Sequence, residues 1–348
     1  MVESAITAVI DGNTSVQEVS KVFEGLVRLE RGGCIRLSIE PRRGRSSYPR
    51  VVRLKVERGD TRRDVAIDLS DQRDLFHGPD LGECDFYFKR SFEPASVERL
   101  TTDRANKVLP FGLNNPAASQ GTALRMLRAR ARTGRSLAEL ATDTRQLLAL
   151  PDPAAFESPS EEPAEPLVLF QTRLWPESSP EFAAITGERA ALLRALRSTF
   201  GSRFVGGAIP DAYARENYPE LLSSHPARMR SWPAVVRRCL ITVYSRGLHD
   251  SLAFKMSEYL AAGRCIVAQP SDLTLPQPLM SGRNFLPFES PDQCVAQCER
   301  LLADPSLQTE MRRNNGDYYN SQVEPAAHLQ RIVDLSLSLS SGAAASSR

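Results

Sequence analysis

The 348-residue sequence has no apolar run approaching the roughly 20 residues that a helix needs to cross a bilayer. Its first residues, Met1–Ser4, lack the basic region and the apolar stretch of a secretory signal. We therefore expect a cytoplasmic protein without a transmembrane segment. The sequence also lacks a marked excess of either charge, since it has 44 Lys and Arg residues and 42 Asp and Glu residues. This balance argues against a nucleic-acid coat protein or a strongly cationic membrane-binding protein.

Cysteine is sparse, with six residues scattered along the chain. Cys294 and Cys298 are the one close pair, and their offset suits neighbouring turns of a helix better than a Cys-x-x-Cys metal site. Cys84 and Cys265 lie in apolar runs, where a reduced cysteine acts as a small core residue. The early turn Asp11–Asn13 lacks the Gly-x-Gly-x-x-Gly pattern of dinucleotide sites. The sequence therefore predicts structural thiols, no metal site and no bound cofactor.

One segment divides the chain. Residues 151–166 are rich in proline and acid, with little to bury, so we predict an extended linker between a domain at 1–150 and a second domain at 167–323. The residues 340–348 are small and polar, which predicts a disordered tail.

On both sides of the linker, short apolar runs alternate with segments of helical periodicity. The candidate strands are Ala5–Ile10, Cys34–Ile39, Val51–Val56, Val65–Leu69, Cys84–Phe88, Val108–Phe111, Leu167–Phe170, Arg203–Gly206, Cys239–Tyr244 and Cys265–Ala268. The candidate helices are Ser15–Leu29, Ala190–Phe200 and Phe254–Ala262. Uniformly apolar strands separated by helices indicate parallel sheets covered on both faces. We therefore predict two α/β domains, with ligands beyond the carboxyl ends of the strands.

The most informative stretch is Tyr244–Ala268, which reads as strand, polar loop, helix, glycine stop and strand. The helix start would present free N–H groups near Asp250 and Ser251, a site suited to phosphate. Lys255 and Glu258 share one helical face, where they can serve a phosphate and a ribose diol. The simpler alternative for this pair is an ordinary surface ion pair.

Two acidic residues separated by seven, then an Ala-Ala-Gly turn and an apolar strand, resemble the nucleotide-sugar-binding motif of glycosyltransferases with the GT-B fold. Asp250 and Glu258 have that spacing, and Ala261–Gly263 is the turn. The resemblance covers roughly residues 166–338. It implies two Rossmann-like α/β domains facing across a cleft, and a helix at 324–339 that crosses back to the first domain.

The resemblance also implies roles for single residues. Glu258 would bind the ribose hydroxyls of the donor, and the backbone around Asp250 and Ser251 would meet its diphosphate or sugar. Many retaining members carry Glu where this chain has Asp250, so retention or inversion stays open. GT-B enzymes commonly place a positively charged residue against the leaving diphosphate after the first strand of this domain, where this chain has Arg173, so Arg173 would stabilise the charge that develops there. The further donor-binding candidates in the loop are Arg246 and His249.

The first domain offers candidates for acid–base chemistry. Transfer with inversion needs a carboxylate or histidine within hydrogen-bond reach of the acceptor hydroxyl, and such groups follow the strand Val65–Leu69. The predicted catalytic residues are Asp68, Asp71 and His77. Three polar residues at neighbouring strand ends are predicted to touch acceptor or donor, namely Lys89, Arg90 and Asn114. Each of these could equally belong to a solvated polar loop.

A run of arginines distinguishes the first domain: Arg125, Arg128, Arg130, Arg132 and Arg135. It reads either as a solvated helix or as an attraction for an anionic acceptor, a membrane surface or nucleic acid. Residues 1–150 hold 25 basic and 20 acidic residues, which favours an acceptor with some negative charge.

We predict a metal-independent glycosyltransferase, hexosyl or related, that moves a sugar from a nucleoside diphosphate sugar to an acceptor hydroxyl. The donor is a substrate, and a UDP- or GDP-sugar is expected first. Two alternatives remain: a catalytically inactive nucleotide-sugar-binding partner protein, and a nucleic-acid-modifying glycosyltransferase. Sugar epimerisation on the same architecture ranks lower, because its acid–base groups are not evident in the sequence.

Overall fold

The computed structural model describes residues 4–44, 48–159, 162–225 and 230–339. They form two compact units. The first runs to Pro153 and includes Leu273–Pro278 and the described residues from Ser321 onward. The second comprises Ala154–Asp272 and Leu279–Asn320. The predicted tail at 340–348 lies outside the described residues.

Strands and helices alternate along both units. The strands are β1 (Ser4–Asp11), β2 (Ile35–Arg42), β3 (Val51–Arg58), β4 (Thr61–Asp68), β5 (Phe86–Lys89), β6 (Val108–Pro110), β7 (Glu165–Thr172), β8 (Phe204–Ala208), β9 (Cys239–Tyr244), β10 (Cys265–Ala268) and β11 (Leu286–Pro287). The helices are α1 (Ser20–Arg31), α2 (Gly78–Glu83), α3 (Pro94–Val97), α4 (Thr102–Ala105), α5 (Gln120–Arg130), α6 (Leu137–Ala149), α7 (Pro180–Phe200), α8 (Ala212–Asn217), α9 (Trp232–Arg238), α10 (Lys255–Ala261), α11 (Pro291–Ala303), α12 (Pro305–Tyr318) and α13 (Pro325–Ser338).

The first unit is built on a six-stranded sheet in the order β2-β1-β3-β4-β5-β6. Its strands are parallel except β3, which is antiparallel to both β1 and β4. The exception follows from a tight hairpin, in which Arg58 pairs with Thr61 and Gly59 has a φ of 58°. Two-residue hairpins require positive φ, which glycine adopts without strain. The expectation of a wholly parallel first sheet is therefore wrong at β3.

The C-terminal helix α13 belongs to the first unit and packs on α1. The two helices approach most closely at Gly25, where an added Cβ would clash with the backbone carbonyl of Pro325. His328 of α13 is fully buried and its imidazole lies 2.8 Å from the carbonyl oxygen of Phe111, just after β6. Burial lowers the pKa of His328 well below its ordinary value, so it packs as a neutral ring.

The predicted linker is more structured than an extended connector. Pro153–Ala155 forms a 3₁₀ turn, and Phe156 is buried with 1% of its surface exposed. Strand β7 also starts inside the predicted linker, at Glu165. The prediction overlooked this because one aromatic residue among prolines and acids gives no periodic signal.

The second unit has a five-stranded, wholly parallel sheet in the order β11-β10-β9-β7-β8. The central strands β7, β9 and β10 are buried along nearly their whole length, which explains their continuous apolar sequences. Both units are thus α/β with mainly parallel sheets, and the predicted fold class is confirmed at this level. Within the described ranges, no helix has both the length and the apolar character needed to span a membrane.

All six cysteines are free thiols. Five of them are buried, and Cys34, in the turn between α1 and β2, is exposed. Burial raises the pKa of Cys84, Cys239 and Cys265 to about 12, so these thiols stay protonated inside the core.

Candidate functional site

The second sheet has a switch point between β7 and β9. These neighbouring strands lead to connections on opposite sides, because β7 continues to β8 and β9 continues to β10. Ligands of open parallel sheets bind beyond the carboxyl ends of the strands at such a point. Arg173 follows the end of β7, and Ser245 and Arg246 follow the end of β9. The topology therefore brings two predicted donor-binding arginines to one edge of the sheet.

A cavity of about 370 Å³ opens at this edge. Of the predicted donor-binding residues, Arg246 and Asp250 line it, and their charged groups are 3.4 Å apart. Glu181, Glu188, Ser245 and Gln269 also contribute to its wall, together with a buried arginine of α7, Arg189. Arg173 is exposed outside this wall, 3.7 Å from Asp211.

The turn that carries His249 and Asp250 has an unusual backbone. Both residues have positive φ, 56° and 50°, and among the described residues they are the non-glycine positions that do. The carboxylate of Glu181 accepts a hydrogen bond of 2.6 Å from the backbone N–H of His249. Left-handed backbone at non-glycine residues is strained and occurs often at functional sites. The turn is therefore held in place by its contact with α7.

The expected anion site at a helix start near Asp250 and Ser251 is not formed there. Helix α10 begins at Lys255, beyond a separate turn at Leu248–Asp250. The N–H of Ser251 donates to the carbonyl of Leu248 at 3.1 Å and so is not free. The hydroxyl of Tyr244 closes the loop, because it accepts from the N–H of Ala253 at 2.8 Å.

Lys255 and Glu258 form a cluster with Trp232 of α9. The indole N–H of Trp232 donates to the Glu258 carboxylate at 2.6 Å, and the Lys255 ammonium lies 5.0 Å from the centre of the indole ring. Burial raises the pKa of Glu258, against the opposing effects of the indole N–H and of Lys255. Burial lowers the pKa of Lys255 to about 8. The pair is therefore not an ordinary surface ion pair, and Trp232 is a member that sequence reasoning missed.

In the first unit, Asp68 lies inside a buried network. Its carboxylate accepts hydrogen bonds from the Tyr87 hydroxyl at 2.7 Å, the Lys89 ammonium at 2.8 Å and the N–H of Ser70 at 2.9 Å. Lys89 also donates to the carbonyl of Leu75 at 2.7 Å. The prediction that Lys89 touches acceptor or donor is therefore wrong, since the lysine is fully buried against Asp68.

The side chains of Asp71 and His77 have other partners, although the backbone N–H of His77 donates to the Tyr87 hydroxyl of that network at 3.1 Å. The half-exposed carboxylate of Asp71 pairs with Arg90 at 2.6 Å, while His77 contacts Asp80 and stacks on Tyr48. The three predicted catalytic side chains therefore have different partners, and Tyr87 joins Asp68 to the backbone of His77.

A further acid, Glu18, lies near Asp71. Its carboxylate is 3.9 Å from the Arg50 guanidinium, and burial raises its pKa. Glu18 lies in the loop before α1, in a segment predicted as a helix start with no chemical role. Asn114 is buried and donates to the carbonyl of Glu18 at 3.1 Å, so its predicted ligand contact is replaced by a structural one.

Three of the five clustered arginines form ion pairs or hydrogen bonds with other residues of the first unit. Arg130 is fully buried and pairs with Asp143 at 3.0 Å, Arg135 donates to the carbonyl of Gly12 at 2.7 Å, and Arg125 pairs with Glu30. These contacts favour a structural role over a nucleic-acid or membrane surface. Among the described residues, no three His, Cys, Asp or Glu side chains lie close enough together to hold a metal ion.

Comparison with known proteins supports the resemblance drawn from Asp250 and Glu258. Residues 189–334 match the family model described as glycosyl transferase-like. This similarity to glycosyltransferases covers less than half of the chain. The matched range contains the acidic pair, the Ala261–Gly263 turn, Arg189 and the end of β9. No curated protein sequence matches the chain.

Several solved structures have a similar course of the chain. The crystal structure of Anabaena Alr3699/HepE in complex with UDP is 12% identical, and the match covers 95% of this chain and 99% of that one at a TM-score of 0.39. UDP-GlcNAc 2-epimerase from Neisseria meningitidis bound to UDP-GlcNAc is 12% identical. The match covers 74% of this chain and 62% of that one, with a TM-score of 0.40. The C-terminal domain of the glycosyl transferase group 1 family protein LpcC from Francisella tularensis is 14% identical. That match covers 45% of this chain and 84% of the other, with a TM-score of 0.33.

Proposed function

We propose that the protein is a glycosyltransferase that moves a sugar from a nucleoside diphosphate sugar to an acceptor hydroxyl, without a metal ion. The observation that carries the proposal is the place of the Asp250–Glu258 motif. It lies at the carboxyl edge of a wholly parallel sheet, inside the range that matches the glycosyltransferase-like model. A UDP- or GDP-sugar is the expected donor.

In this proposal the donor nucleotide lies along α10, with its ribose hydroxyls donating to the Glu258 carboxylate. Trp232 positions that carboxylate through its indole N–H. Cleavage of the bond between sugar and phosphate places negative charge on the leaving diphosphate. Arg173 and Arg246 are the cations that stabilise this charge, since guanidinium groups match phosphate oxygens in a two-point geometry.

For the acceptor side, Asp71 and His77 are the proposed candidates for the general base. Asp68 is less suited, because its oxygens already accept from three internal donors and it is 1% exposed. A base must come within hydrogen-bond reach of the proton it removes. We therefore assign Asp68 to holding the loop after β4.

A thermal-shift panel tests donor binding. UDP, GDP, ADP, dTDP, CMP and their common sugars are added in EDTA, and a ligand at 100 times its Kd should stabilise the protein by about 2.7 kcal/mol. Glu258→Gln keeps an acceptor for Trp232 but loses the charge, so we expect the affinity for the bound nucleotide to fall about tenfold. The matched control is Glu310→Gln, an exposed glutamate of α12. No shift with any nucleotide, from a protein that melts cooperatively, would refute the proposal.

A catalytically inactive nucleotide-sugar-binding protein is the second candidate. It is favoured by the burial of Asp68 and by the ion pair of Asp71 with Arg90, which engage both predicted acids. Release of nucleoside diphosphate from the bound sugar nucleotide separates the candidates. Turnover that Asp71→Asn or His77→Ala abolishes supports the transferase, whereas binding without turnover over an acceptor panel supports the binding protein.

A further inference from the structure

Arg189 is a buried cation that the sequence analysis did not single out. It lies on α7, at 5% exposure, and contacts residues that directly follow β7 and β9. Its side chain forms part of the wall of the 370 Å³ cavity and of an adjoining cavity of about 330 Å³. A buried arginine in such a place requires a set of partners for its five N–H donors.

Those partners belong to the two loops of the switch point. The Arg189 guanidinium donates to the carbonyl of Arg173 at 2.9 Å and to the carbonyl of Arg246 at 2.7 Å. Its Nε donates to the Ser245 hydroxyl at 3.2 Å. The guanidinium carbon lies 4.4 Å from the centre of the Trp175 ring. One rigid fork therefore joins the loop after β7 to the loop after β9.

A second residue of α7 acts on the same loop. The Thr186 hydroxyl is buried, accepts from the N–H of Trp175 at 2.9 Å and donates to its carbonyl at 3.0 Å. The loop after β7 is thus fixed to α7 at two points, whereas Arg189 makes the link to the loop after β9.

In the described part of the chain Arg189 makes no ion pair, although the neighbouring Glu188 carboxylate raises its pKa against the effect of burial. Among the described residues, no carboxylate lies within ion-pair distance of its guanidinium, and its polar contacts are two carbonyls and a hydroxyl. Burial lowers its pKa to about 10, which leaves it charged at neutral pH. Glu181, Glu188 and Asp250 line the same cavity, so the role of Arg189 rests on its contacts with the two loops and not on an uncompensated charge.

We propose that Arg189 is a positioning residue for the donor diphosphate, which sets the places of Arg173 and Arg246 by holding both of their backbone carbonyls. This role rests on the proposed function for its ligand, but the coupling of the two loops does not. The residue acts on the diphosphate through the two exposed arginines, whose backbone it holds. It does not act on the nucleoside.

Arg189→Lys tests the role, because lysine keeps the charge but cannot reach three acceptors with one planar fork. The matched control is Arg194→Lys on the same helix, where the exposed guanidinium pairs with Glu220 at 2.9 Å. Two measurements are made on the full chain. One is amide hydrogen exchange in the segments 173–175 and 245–251. The other is calorimetric binding of the nucleoside diphosphate from the panel and of its parent nucleoside.

We expect Arg189→Lys to increase exchange in both segments and to weaken diphosphate binding about tenfold, with less than a twofold change for the nucleoside. Arg194→Lys should change neither. Unchanged exchange in both segments would overturn the coupling. An equal loss of affinity for nucleoside and diphosphate would overturn the positioning role, since a general loss of structure gives that result.

Two further outcomes are decided by the same design. If the wild-type protein binds no nucleotide, the proposed function fails, while the exchange data still decide whether Arg189 couples the loops. If Arg189→Lys does not fold, Ser245→Ala removes only the Nε acceptor. Exchange should then rise in 245–251 and stay unchanged in 173–175, and a rise in neither segment would count against the coupling.

Discussion

The buried pair of Asp68 and Lys89 predicts which of the sequence-derived acids is available for chemistry. Lys89→Met leaves the Asp68 carboxylate buried with two neutral donors, Tyr87 and Ser70, and without its cation. Removing one partner of a buried ion pair costs about 3–5 kcal/mol. With about 2–4 °C per kcal/mol for a unit of this size, the Tm of the first unit should fall by about 6–20 °C.

The assay is differential scanning calorimetry of the full chain, which reports the melting of each unit. Asp68→Asn should also lower the Tm, and the double variant should lose less than the sum of the single losses, since the two residues are in contact. Asp71→Asn is the comparison, because its carboxylate is half exposed. Its loss should stay within about 1 kcal/mol.

Activity completes the test. If Asp71 is the general base, Asp71→Asn lowers sugar transfer with the Tm nearly unchanged. The reasoning is refuted if Asp68→Asn keeps the wild-type Tm and loses only turnover. That result would identify Asp68 as the reacting group and the network with Lys89 as its support.

Three further predictions concern burial in the two units. Burial lowers the pKa of Lys21 to about 7, so the folded state releases a proton that the unfolded state keeps. Wild-type stability relative to Lys21→Met should therefore rise with pH from about 7 towards 10.4, by up to about 1.4 kcal/mol per pH unit in urea unfolding. Gly25→Ala should destabilise the first unit, since the new Cβ meets the backbone of α13, while Gly187→Ala on α7, with open space around it, should raise stability by up to about 1 kcal/mol in the same assay. Trp232→Phe removes the indole N–H that donates a hydrogen bond to Glu258, and should lower the free energy of unfolding by about 1–3 kcal/mol. Because burial raises the pKa of Glu258, the loss should be larger in unfolding at pH 8 than at pH 5, where more of the carboxyl is protonated.

Strands of the second unit could be predicted almost to the residue. Cys239–Tyr244 and Cys265–Ala268 have the predicted bounds, because a central parallel strand is apolar on both faces and ends where polar residues resume. Helix α7 was predicted only from Ala190 onward. Its first turns carry polar residues, although Ser179 caps the helix and Pro180 occupies its first position, a recognisable start signal.

The acidic motif could be found from its resemblance to the glycosyltransferase signature, but its surroundings could not be predicted. Trp232 reaches Glu258, and Arg189 reaches the carbonyls of Arg173 and Arg246, across long stretches of intervening chain. Such contacts depend on how helices pack on the sheet, which no local pattern encodes. The burial of Asp68 against Lys89 escaped for the same reason.

The positions of the thiols allow local unfolding of the native protein to be measured by chemical labelling. A thiol reagent should label Cys34 at once, since it is the exposed cysteine. Cys84 lies in the first unit, and the strands β9 and β10 of the second unit begin with Cys239 and Cys265. Labelling of Cys84 therefore reports local unfolding of the first unit. Labelling of Cys239 and Cys265 reports local unfolding of the second unit. Mass spectrometry of the labelled peptides can thus measure the opening rate of each unit without any engineered probe.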